Sequence, residues 1–275
     1  MFQSSKTIQY LQVDSGKWTK RDAEIIVETP VSLTVNGEVW LSFMCTPTDL
    51  EAMAIGFLYN EGVIDHTEEI VAVRVCPTGD NIDVWLTHSA EKPGSWRRTS
   101  GCTGGVTSVI TENINSTETH RNGTLVAPKT IQDLMAELLT AQDLYRKTGG
   151  VHTSAICDDK RIVLTAEDIG RHNTLDKLAG RILLDEIALD HRILLTTGRI
   201  SSEMLQKSAR IDAAIVALRT SPSSMSIQLA RHMGITLIGY VRRTGFRVYT
   251  HDQRVLRADQ IETQDEREYV AETDR

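Results

Sequence analysis

The sequence predicts an α/β protein with a strand-rich N-terminal half and a C-terminal half in which strands and helices alternate. The first observation behind this prediction is a series of short β-rich runs before residue 90, with a single amphipathic helix among them. The second is a threefold alternation of strand and helix after residue 170, which is typical of a sheet with helices on both faces. Hydrophobic residues form 40% of the 275-residue chain, which is enough for a packed core.

The N-terminal strands are separated by recognisable turn and cap signals. Asn36-Gly37 is typical of a two-residue hairpin turn, because both residues tolerate a positive φ. Thr48 and Glu51 fit a capping box, which predicts a helix that ends near Gly62. The predicted strands cover residues 23–27, 31–35, 38–45, 70–75 and 82–86.

The segment 91–123 has weak periodicity and many Gly, Ser, Thr and Asn residues, which indicates a domain junction. We therefore predict an N-terminal α+β subdomain over residues 1–115, an α/β domain over residues 116–257 and an acidic tail over residues 258–275. The tail holds seven acidic and two basic residues, and so accounts for most of the net charge of −7. An acidic balance argues against a general nucleic-acid binder.

Helix N-termini that follow strand ends are predicted at Asn173, Ser201 and Ser221. Their free N–H groups and positive dipole ends would meet at one edge of the sheet. Ligands of open α/β sheets bind at that edge, so an anionic or nucleotide-like ligand is expected there. Ordinary capping of three helices is the alternative.

The four cysteines stand at positions 45, 76, 102 and 157, without the Cys-x-x-Cys spacing of a zinc knuckle or a redox pair. Cys102 lies in a glycine-rich loop after Arg97 and Arg98. A nearby cation favours a thiolate, which can accept and pass on a sulfur, acyl or phosphoryl group. The alternative is an unreactive loop cysteine. The other three cysteines are predicted to be small buried hydrophobes.

No metal ion is predicted. His152, Cys157 and His172 form the nearest trio, but the spacings of zinc deaminases and of His-Glu-x-x-His enzymes are absent. The N-terminus lacks the apolar stretch of a signal peptide, and no apolar run is long enough to span a membrane. We therefore expect a cytoplasmic protein without a membrane partner.

Two polar segments are further candidates for a ligand site. In the run 167–173, Arg171 offers a fork for phosphate and His172 can donate a proton. The alternative there is a helix cap with an Asp168–Arg171 pair. The second segment consists of Tyr240, Val241, Arg242, Arg243, Thr244 and Gly245. Its aromatic ring could stack on a base, and its arginines could hold a phosphate. The alternative is that this segment is a solvated hairpin.

Several stretches together resemble the formate dehydrogenase accessory sulfurtransferase family, the FdhD/NarQ type. They are Pro30 to Gly37, Asp49 to Glu51, Gly56 to Leu58, Ser100 to Cys102, Thr148 to Ala155, Glu167 to Lys177, Gly198-Arg199 with Lys207, and Tyr240 to Arg242 before Val248 to Thr250. The Glu-Asp-Ile-Gly-Arg-His-Asn run at 167–173 is the most specific of them. The resemblance covers nearly the whole chain except its two ends.

The resemblance implies a cytidine-deaminase-like three-layer fold for the larger domain, without the zinc chemistry. It implies a sulfurtransferase that takes sulfur from a cysteine desulfurase as a persulfide on Cys102. The recipient would be the molybdenum or tungsten bis(guanine dinucleotide) pterin cofactor of formate dehydrogenase, bound at residues 240–245. Our own hypothesis adds Arg171, which would neutralise the phosphates of this cofactor, and His172, which could donate a proton or a hydrogen bond to it. The resemblance also implies a homodimer.

One departure from the family pattern is Gly105, which stands where many members have a second cysteine of a Cys-x-x-Cys pair. A persulfide needs only one cysteine, so sulfur transfer remains the main hypothesis. The alternative is a chaperone that binds the pterin cofactor for formate dehydrogenase without transferring sulfur. A nucleoside deaminase is a third reading, which the missing zinc ligands disfavour.

Overall fold

The structure, a computed structural model, describes residues 2–93, 97–98, 106–107 and 124–257. The elements of the N-terminal half are β1 (Ser5–Asp14), β2 (Lys17–Ile26), β3 (Thr29–Val35), β4 (Glu38–Cys45), α1 (Leu50–Asn60), a 3-10 turn (Thr67–Glu69), β5 (Ile70–Val75), β6 (Asn81–Leu86), β7 (Arg97–Arg98) and β8 (Val106–Thr107). The helices of the C-terminal half are α2 (Pro128–Thr140), α3 (Asp143–Thr148), α4 (Arg171–Leu184), α5 (Ser202–Arg210) and α6 (Ser224–His232). Its strands are β9 (His152–Cys157), β10 (Ile162–Asp168), β11 (Ile193–Thr196), β12 (Ile215–Leu218), β13 (Thr236–Arg242) and β14 (Gly245–Val248), and a 3-10 turn (Asp252–Arg254) follows.

The C-terminal strands form one sheet in the order β10-β9-β11-β12-β13-β14. The central strands β11, β12 and β13 are parallel, and the outer pairings are antiparallel. Ala155 and Ile215 face α2, whereas Ile156 and Val216 face α4, α5 and α6, because successive strand residues point to opposite faces. This three-layer arrangement confirms the predicted α/β class.

Four N-terminal strands form a second sheet in the order β4-β3-β6-β5. The helix α1 covers one of its faces and packs Phe57 and Leu58 against the buried strand residues. Asn36 and Gly37 join β3 to β4 with φ values of 49° and 85°, which confirms the predicted hairpin turn.

The strands β1 and β2 form a separate two-stranded ribbon. The sequence prediction found only the end of β2 and missed β1. Strand prediction depends on one buried face, whereas no residue of β1 or β2 is buried, and most residues of β1 and half of those of β2 are exposed.

The two halves of the chain meet where α1 crosses α4. A Cβ atom on Gly56 would lie 1.8 Å from the carbonyl oxygen of Asp176, and one on Gly180 would lie 1.8 Å from that of Ala52. The backbones are therefore too close for any residue but glycine at either position. The boundary near residue 115 and the acidic tail 258–275 lie outside the described residues, so the domain division stays a prediction.

The start of α1 differs from the predicted capping box. Asp49 is the N-cap residue, with a φ of 48°, and no side chain caps the helix. The hydroxyl of Thr48 instead accepts a hydrogen bond of 2.9 Å from Nζ of Lys177. The capping-box prediction was wrong because a buried lysine from α4, distant in sequence, uses that hydroxyl. Within the described residues, no helix is long and apolar enough to span a membrane.

Candidate functional site

The candidate site lies at the edge of the six-stranded sheet where β11 and β12 end. His152 begins β9 and is paired with Asp168, which ends the antiparallel strand β10. Thr196, the last residue of β11, is paired with Ser154 at the same edge. The loops after β10, β11 and β12 therefore converge there, and each of them leads into a helix. This is the edge at which open α/β sheets bind their ligands.

Two helix N-termini stand side by side at this edge. Ser201 caps α5 by accepting a hydrogen bond from the backbone N–H of Met204, as predicted. Ser223 caps α6 by accepting one from the N–H of Ser226, two residues after the predicted position at Ser221. The shift arises because Pro222 forms a β-bridge with Ile200, which ties the two loops together before α6 begins.

The third predicted N-terminus, at Asn173, lies inside the first turn of α4. Gly170 is the N-cap residue. The amide of Asn173 donates hydrogen bonds to the carbonyl oxygen of Met44 and to Oδ1 of Asp168, at 2.9 and 2.8 Å. The prediction was wrong because the Asn173 side chain joins α4 to β4 instead of capping the helix.

A cavity of about 280 Å³ lies between the two adjacent N-termini. The arginines Arg171 and Arg199 line it together with the hydroxyl-bearing residues Ser201, Ser221 and Ser223. Gly198 keeps the backbone near Arg171, since a Cβ atom there would lie 3.3 Å from the Cβ of Arg171. The cavity is therefore surrounded by guanidinium groups, hydroxyl groups and the N–H groups of two helix N-termini. All of these can donate hydrogen bonds to a phosphate or another anion.

A second cavity of about 560 Å³ opens at the same edge, on the side of the sheet that α2 covers. Its polar lining residues include Gln142, Tyr145, His152, Thr197 and Arg219. Sequence reasoning missed Gln142 and Tyr145. These two lie at and just after the start of the short helix α3, and no local motif in the sequence marks them.

His152 links the electrostatics of the two cavities. Burial lowers the pKa of His152, and the guanidinium groups of Arg171 and Arg199 lower that pKa further, against an opposing effect of Asp168. Its imidazole is therefore neutral near pH 7, and it offers one donor and one acceptor nitrogen to the larger cavity.

The segment 240–245 adjoins the larger cavity through Arg219. Arg219 donates a hydrogen bond to the carbonyl oxygen of Val241, and Arg242 donates one to the carbonyl oxygen of Arg219. The side chain of Val241 is packed in the core, so only its backbone is available to a ligand. Arg243 and Thr244 are exposed in the turn before Gly245.

Tyr240 has an unusual conformation in this segment. Its φ is 55°, and its backbone N–H donates to the carbonyl oxygen of Thr220 at 2.9 Å. The guanidinium carbon of Arg247 lies 4.4 Å from the centroid of its ring. The preceding Gly239 allows close packing, since a Cβ atom there would lie 2.9 Å from the ring of Tyr249. A residue held at positive φ by its surroundings is often part of a functional site.

The two predicted site residues of α4 have different environments. Arg171 lines the smaller cavity. His172 is buried, and burial, followed by the charges of Lys207 and Arg171, holds its pKa well below the usual range. A neutral buried imidazole cannot serve as a charged phosphate ligand, so the structure brings Arg171 but not His172 to the cavity.

The rest of the polar run 167–177 forms a buried network between the two halves of the chain. Asp168 and Lys177 form an ion pair of 2.7 Å, and both side chains are fully buried. The carboxylate of Asp168 also accepts hydrogen bonds from the backbone N–H groups of Thr46 and Gly170. The expected alternative, a pair between Asp168 and Arg171, was wrong because Lys177 occupies that partner position from the next turn of the helix.

A second buried ion pair lies deeper in the same junction. Nζ of Lys207 is 2.7 Å from Oδ1 of Asp176, and the amide of Asn60 donates to the same oxygen. Burial raises the pKa of Asp176, while Lys207 and Asn60 oppose that shift. The junction of α1, α4 and α5 is therefore polar at its centre, and the Asp176 carboxylate is bound by groups from both halves of the chain.

Cys102 lies outside the described residues. The segment that contains it, 99–105, connects β7 to β8, which pair antiparallel through Arg97–Thr107 and Arg98–Val106. Cys45 and Cys157 are buried, as predicted, whereas Cys76 is only half-buried. Among the described residues, no cluster of His, Cys, Asp or Glu is arranged to hold a metal ion.

Comparison with known proteins identifies the family. The family model described as FdhD/NarQ matches residues 26–256. The chain belongs to the FdhD/NarQ family. A member named sulfur carrier protein FdhD from Bacillus pumilus (strain SAFR-032) is 35% identical over 248 residues, which are 89% of this chain and 95% of that protein. The member of the same name from Bacillus subtilis (strain 168) is 33% identical over 246 residues, which are 88% and 94% of the two chains.

A solved structure agrees with this family assignment. It is a crystal structure described as that of a candidate formate dehydrogenase accessory protein from Desulfotalea psychrophila. It is 29% identical, matches with a TM-score of 0.73 and covers 92% of this chain and 100% of its own. Both the resemblance and the fold class inferred from the sequence are thereby confirmed.

Proposed function

We propose that this protein is a sulfur carrier that serves formate dehydrogenase. It takes sulfur from a cysteine desulfurase as a persulfide on Cys102, and it passes the sulfur to the molybdenum or tungsten bis(guanine dinucleotide) pterin cofactor. Relatives of nearly full length are named sulfur carrier proteins. The observation that carries the proposal is the cavity between the N-termini of α5 and α6, which Arg171 and Arg199 line together with serine side chains.

The donor set at the sheet edge fits the phosphates of this substrate. Arg171 and Arg199 neutralise a pyrophosphate, and the N–H groups at the starts of α5 and α6 hydrogen-bond to its oxygens. The larger cavity supplies neutral donors and acceptors from Gln142, His152 and Thr197 for a guanine edge or a ribose. The cofactor is a substrate that binds and leaves, so binding sites made of loop residues suit it.

The hairpin 240–245 extends the same substrate site. Tyr240 offers an aromatic face to a base, with Arg247 already stacked on one side of the ring. Arg242 and Arg243 add positive charge to the site. Thr244 and Gly245 are small residues that complete the turn. We assign His172 a positioning role behind Arg171 instead of direct contact with the cofactor, because it is buried and neutral.

The environments of the other cysteines support Cys102 as the carrier. Burial raises the pKa of Cys45 to about 12, and it raises the pKa of Cys157 further still. Because the thiolate is the nucleophile, neither group reacts near neutral pH. Cys76 is half-buried, and its thiol donates a hydrogen bond of 2.8 Å to the carboxylate of Asp80, far along the chain from the sheet edge.

The transfer conserves atoms and electrons at its first step. The Cys102 thiolate attacks the outer sulfur of the desulfurase persulfide, an S–S bond forms at Cys102, and the desulfurase cysteine leaves as a thiolate. Arg97 and Arg98 precede the loop in sequence and favour the anionic sulfur. On delivery an electron pair of the reduced pterin cofactor forms the new bond to the outer sulfur, the S–S bond of the persulfide breaks, and Cys102 leaves as a thiolate.

Persulfide loading tests the carrier role. The purified protein is incubated with a cysteine desulfurase and cysteine, and its intact mass is measured under non-reducing conditions. We expect a gain of the mass of one sulfur atom, lost in Cys102→Ala and kept in Cys76→Ala, the matched control. Retention of the adduct by Cys102→Ala would refute the assignment of the carrier cysteine.

The chaperone alternative rests on Gly105, which replaces a second loop cysteine. It predicts that Cys102→Ala binds guanine nucleotide normally and restores formate dehydrogenase activity in cells that lack the wild-type protein. The carrier proposal predicts normal nucleotide binding without restored activity. The two hypotheses therefore differ in one measurement on one variant.

A further inference from the structure

Gln142 is a buried amide in the wall of the larger cavity at the edge of the six-stranded sheet. It stands at the N-cap position of α3, with an exposed fraction of only 4%, but its side chain does not cap that helix. The carboxylate of Glu167 does so instead, since it accepts hydrogen bonds from the backbone N–H groups of Leu144 and Tyr145, at 2.7 and 3.0 Å. The side chain of Gln142 therefore has a role other than capping.

The direction of the Gln142 amide is fixed by a short chain of hydrogen bonds. Nε2 of Gln142 donates to the hydroxyl of Thr153 at 2.8 Å, and that hydroxyl donates to the carboxylate of Glu167 at 3.3 Å. Because the carboxylate acts only as an acceptor, the single proton of the Thr153 hydroxyl lies towards Glu167. If the amide were turned over, its oxygen and the hydroxyl oxygen would face each other with no proton between them. The oxygen Oε1 of Gln142 is therefore the end that remains for a ligand.

Thr197 has the opposite hydrogen-bonding polarity in the wall of the same cavity. Its hydroxyl accepts a hydrogen bond of 3.0 Å from the backbone N–H of Thr153, and its own backbone N–H donates to the carbonyl oxygen of Thr153 at 2.9 Å. The hydroxyl proton is therefore the group that Thr197 can offer to a ligand. Because Thr153 holds both Gln142 and Thr197, an acceptor and a donor stand at a fixed spacing in this cavity.

This acceptor and donor suit the 2-amino-4-oxopyrimidine edge of a flat heterocycle. That edge has an amino group and a ring N–H side by side, followed by a carbonyl oxygen. The two donors can share Oε1 of Gln142, and the carbonyl can accept from the hydroxyl of Thr197. Leu139 and Val151 supply apolar lining for the faces of the ring, and the volume of about 560 Å³ lies within the range of about 300–1,000 Å³ for small-molecule sites.

We propose that the larger cavity binds a 2-amino-4-oxopyrimidine edge, that Gln142 selects the 2-amino group, and that Thr153 and Glu167 are its positioning residues. The inference rests on the proposed function, because guanine and pterin, the two heterocycles of that substrate, both carry this edge. It is separate from the carrier chemistry, since persulfide formation on Cys102 requires none of these side chains. The persulfide experiment and the binding experiments below can therefore fail independently.

Pairs of ligands that differ only in the 2-amino group test the selecting role of Gln142. Titration calorimetry compares GDP with inosine diphosphate, and pterin with pteridin-4-one. We expect the amino compound of at least one pair to bind the wild-type chain about tenfold more tightly, and Gln142→Leu to abolish that preference. A preference within the nucleotide pair assigns the cavity to guanine, and one within the pteridine pair assigns it to the pterin ring.

The matched control is Gln228→Leu, because Gln228 is an exposed glutamine of α6. This variant should keep the wild-type preference for the amino compound. The proposal would be overturned by a wild-type chain that shows no preference within either pair, or by a preference that survives Gln142→Leu.

Thr153→Val tests the positioning role. Valine has nearly the shape of threonine but no hydroxyl, so Nε2 of Gln142 loses its acceptor and the amide can turn over. We expect the preference for the amino compound to fall about threefold or more, while the affinity for inorganic pyrophosphate stays unchanged. Thr165→Val, at an exposed position of β10, is the matched control and should change neither quantity. An unchanged preference in Thr153→Val, with wild-type circular dichroism, would refute the hydrogen-bond chain as the cause of the selection.

Discussion

Where α1 crosses α4, replacing a glycine by alanine has two opposing effects on the free energy of unfolding. Helix propensity favours the alanine, whereas packing against the other helix disfavours it. Gly180 lies inside α4, and replacing a helical glycine by alanine usually stabilises a helix by about 1 kcal/mol. In this structure, however, the added Cβ atom would lie 1.8 Å from the carbonyl oxygen of Ala52, and the obstacle is backbone on another helix. The clash cannot be relieved by a rotamer change of a flexible side chain.

The magnitude follows from how far the helices must separate. An ordinary Cβ contact lies at 3.4–4 Å, so α1 and α4 must move apart by about 1.5 Å to accept the methyl group. Overpacking of this kind costs about 3 kcal/mol or more when backbone must shift. After the gain in helix propensity, we expect Gly180→Ala to lower the free energy of unfolding by about 2 kcal/mol or more. The midpoint of thermal unfolding should fall by about 4 °C or more.

Urea unfolding followed by circular dichroism measures this free energy. The propensity difference is calibrated in the same chain by comparing Glu137→Ala with Glu137→Gly, because Glu137 is an exposed position of the regular helix α2. If Gly180→Ala were as stable as the wild-type chain, or more stable by the calibrated difference, the close crossing would not exist and the reasoning would fail.

Three further changes test the site and its support. Arg199→Ala should weaken GDP binding about tenfold in titration calorimetry, whereas Arg231→Ala, an exposed arginine of α6, should leave it unchanged. Lys177→Met leaves the Asp168 carboxylate buried without its cation, and should cost about 3–5 kcal/mol of stability in urea unfolding. The lowered pKa of His172 means that the unfolded chain binds its proton first as pH falls, so stability should decline below about pH 6.5. His172→Asn should flatten that decline, and an unchanged pH profile would contradict the buried neutral imidazole.

The sequence predicted the fold best where one face of an element is buried. The helix α1 and the strands β3, β4, β5 and β6 carry buried or partly buried apolar residues, and their positions were predicted within two residues. The strand β1 was missed because it has no buried face to produce a pattern. The cap at Thr48 was misassigned because its true partner, Lys177, is 129 residues away. Capping rules that use only neighbouring residues in the sequence cannot identify such a partner.

The same contrast, between patterns that are local in sequence and contacts that form only in the folded chain, applies to the candidate site. Ser201 and Arg171 were found because strand–helix alternation alone places them at the edge of the sheet. The N-cap of α6 is Ser223 instead of the predicted Ser221 because Ile200 and Pro222 form a β-bridge before the helix begins. This bridge is a tertiary contact between two loops, which the sequence alone does not indicate. Gln142 and Tyr145 were missed because only the folded chain brings the start of α3 beside His152.

Residues 167–177 have two roles: some of them support the junction between the two halves of the chain, and one of them lines the candidate site. Asp168 and Lys177 attach the first turn of α4 to the backbone of Thr46, and so hold the N-terminal sheet in place. Arg171, in that same turn, lines the cavity between α5 and α6. A substitution at Asp168 or Lys177 therefore shifts Arg171 as well as weakening the junction, and lost activity in such a variant cannot be assigned to ligand contact. Arg199, an exposed residue of the loop after β11, lines the same cavity. Because its side chain lies outside the buried Asp168–Lys177 ion pair, substitutions at Arg199 separate anion binding from the stability of the fold.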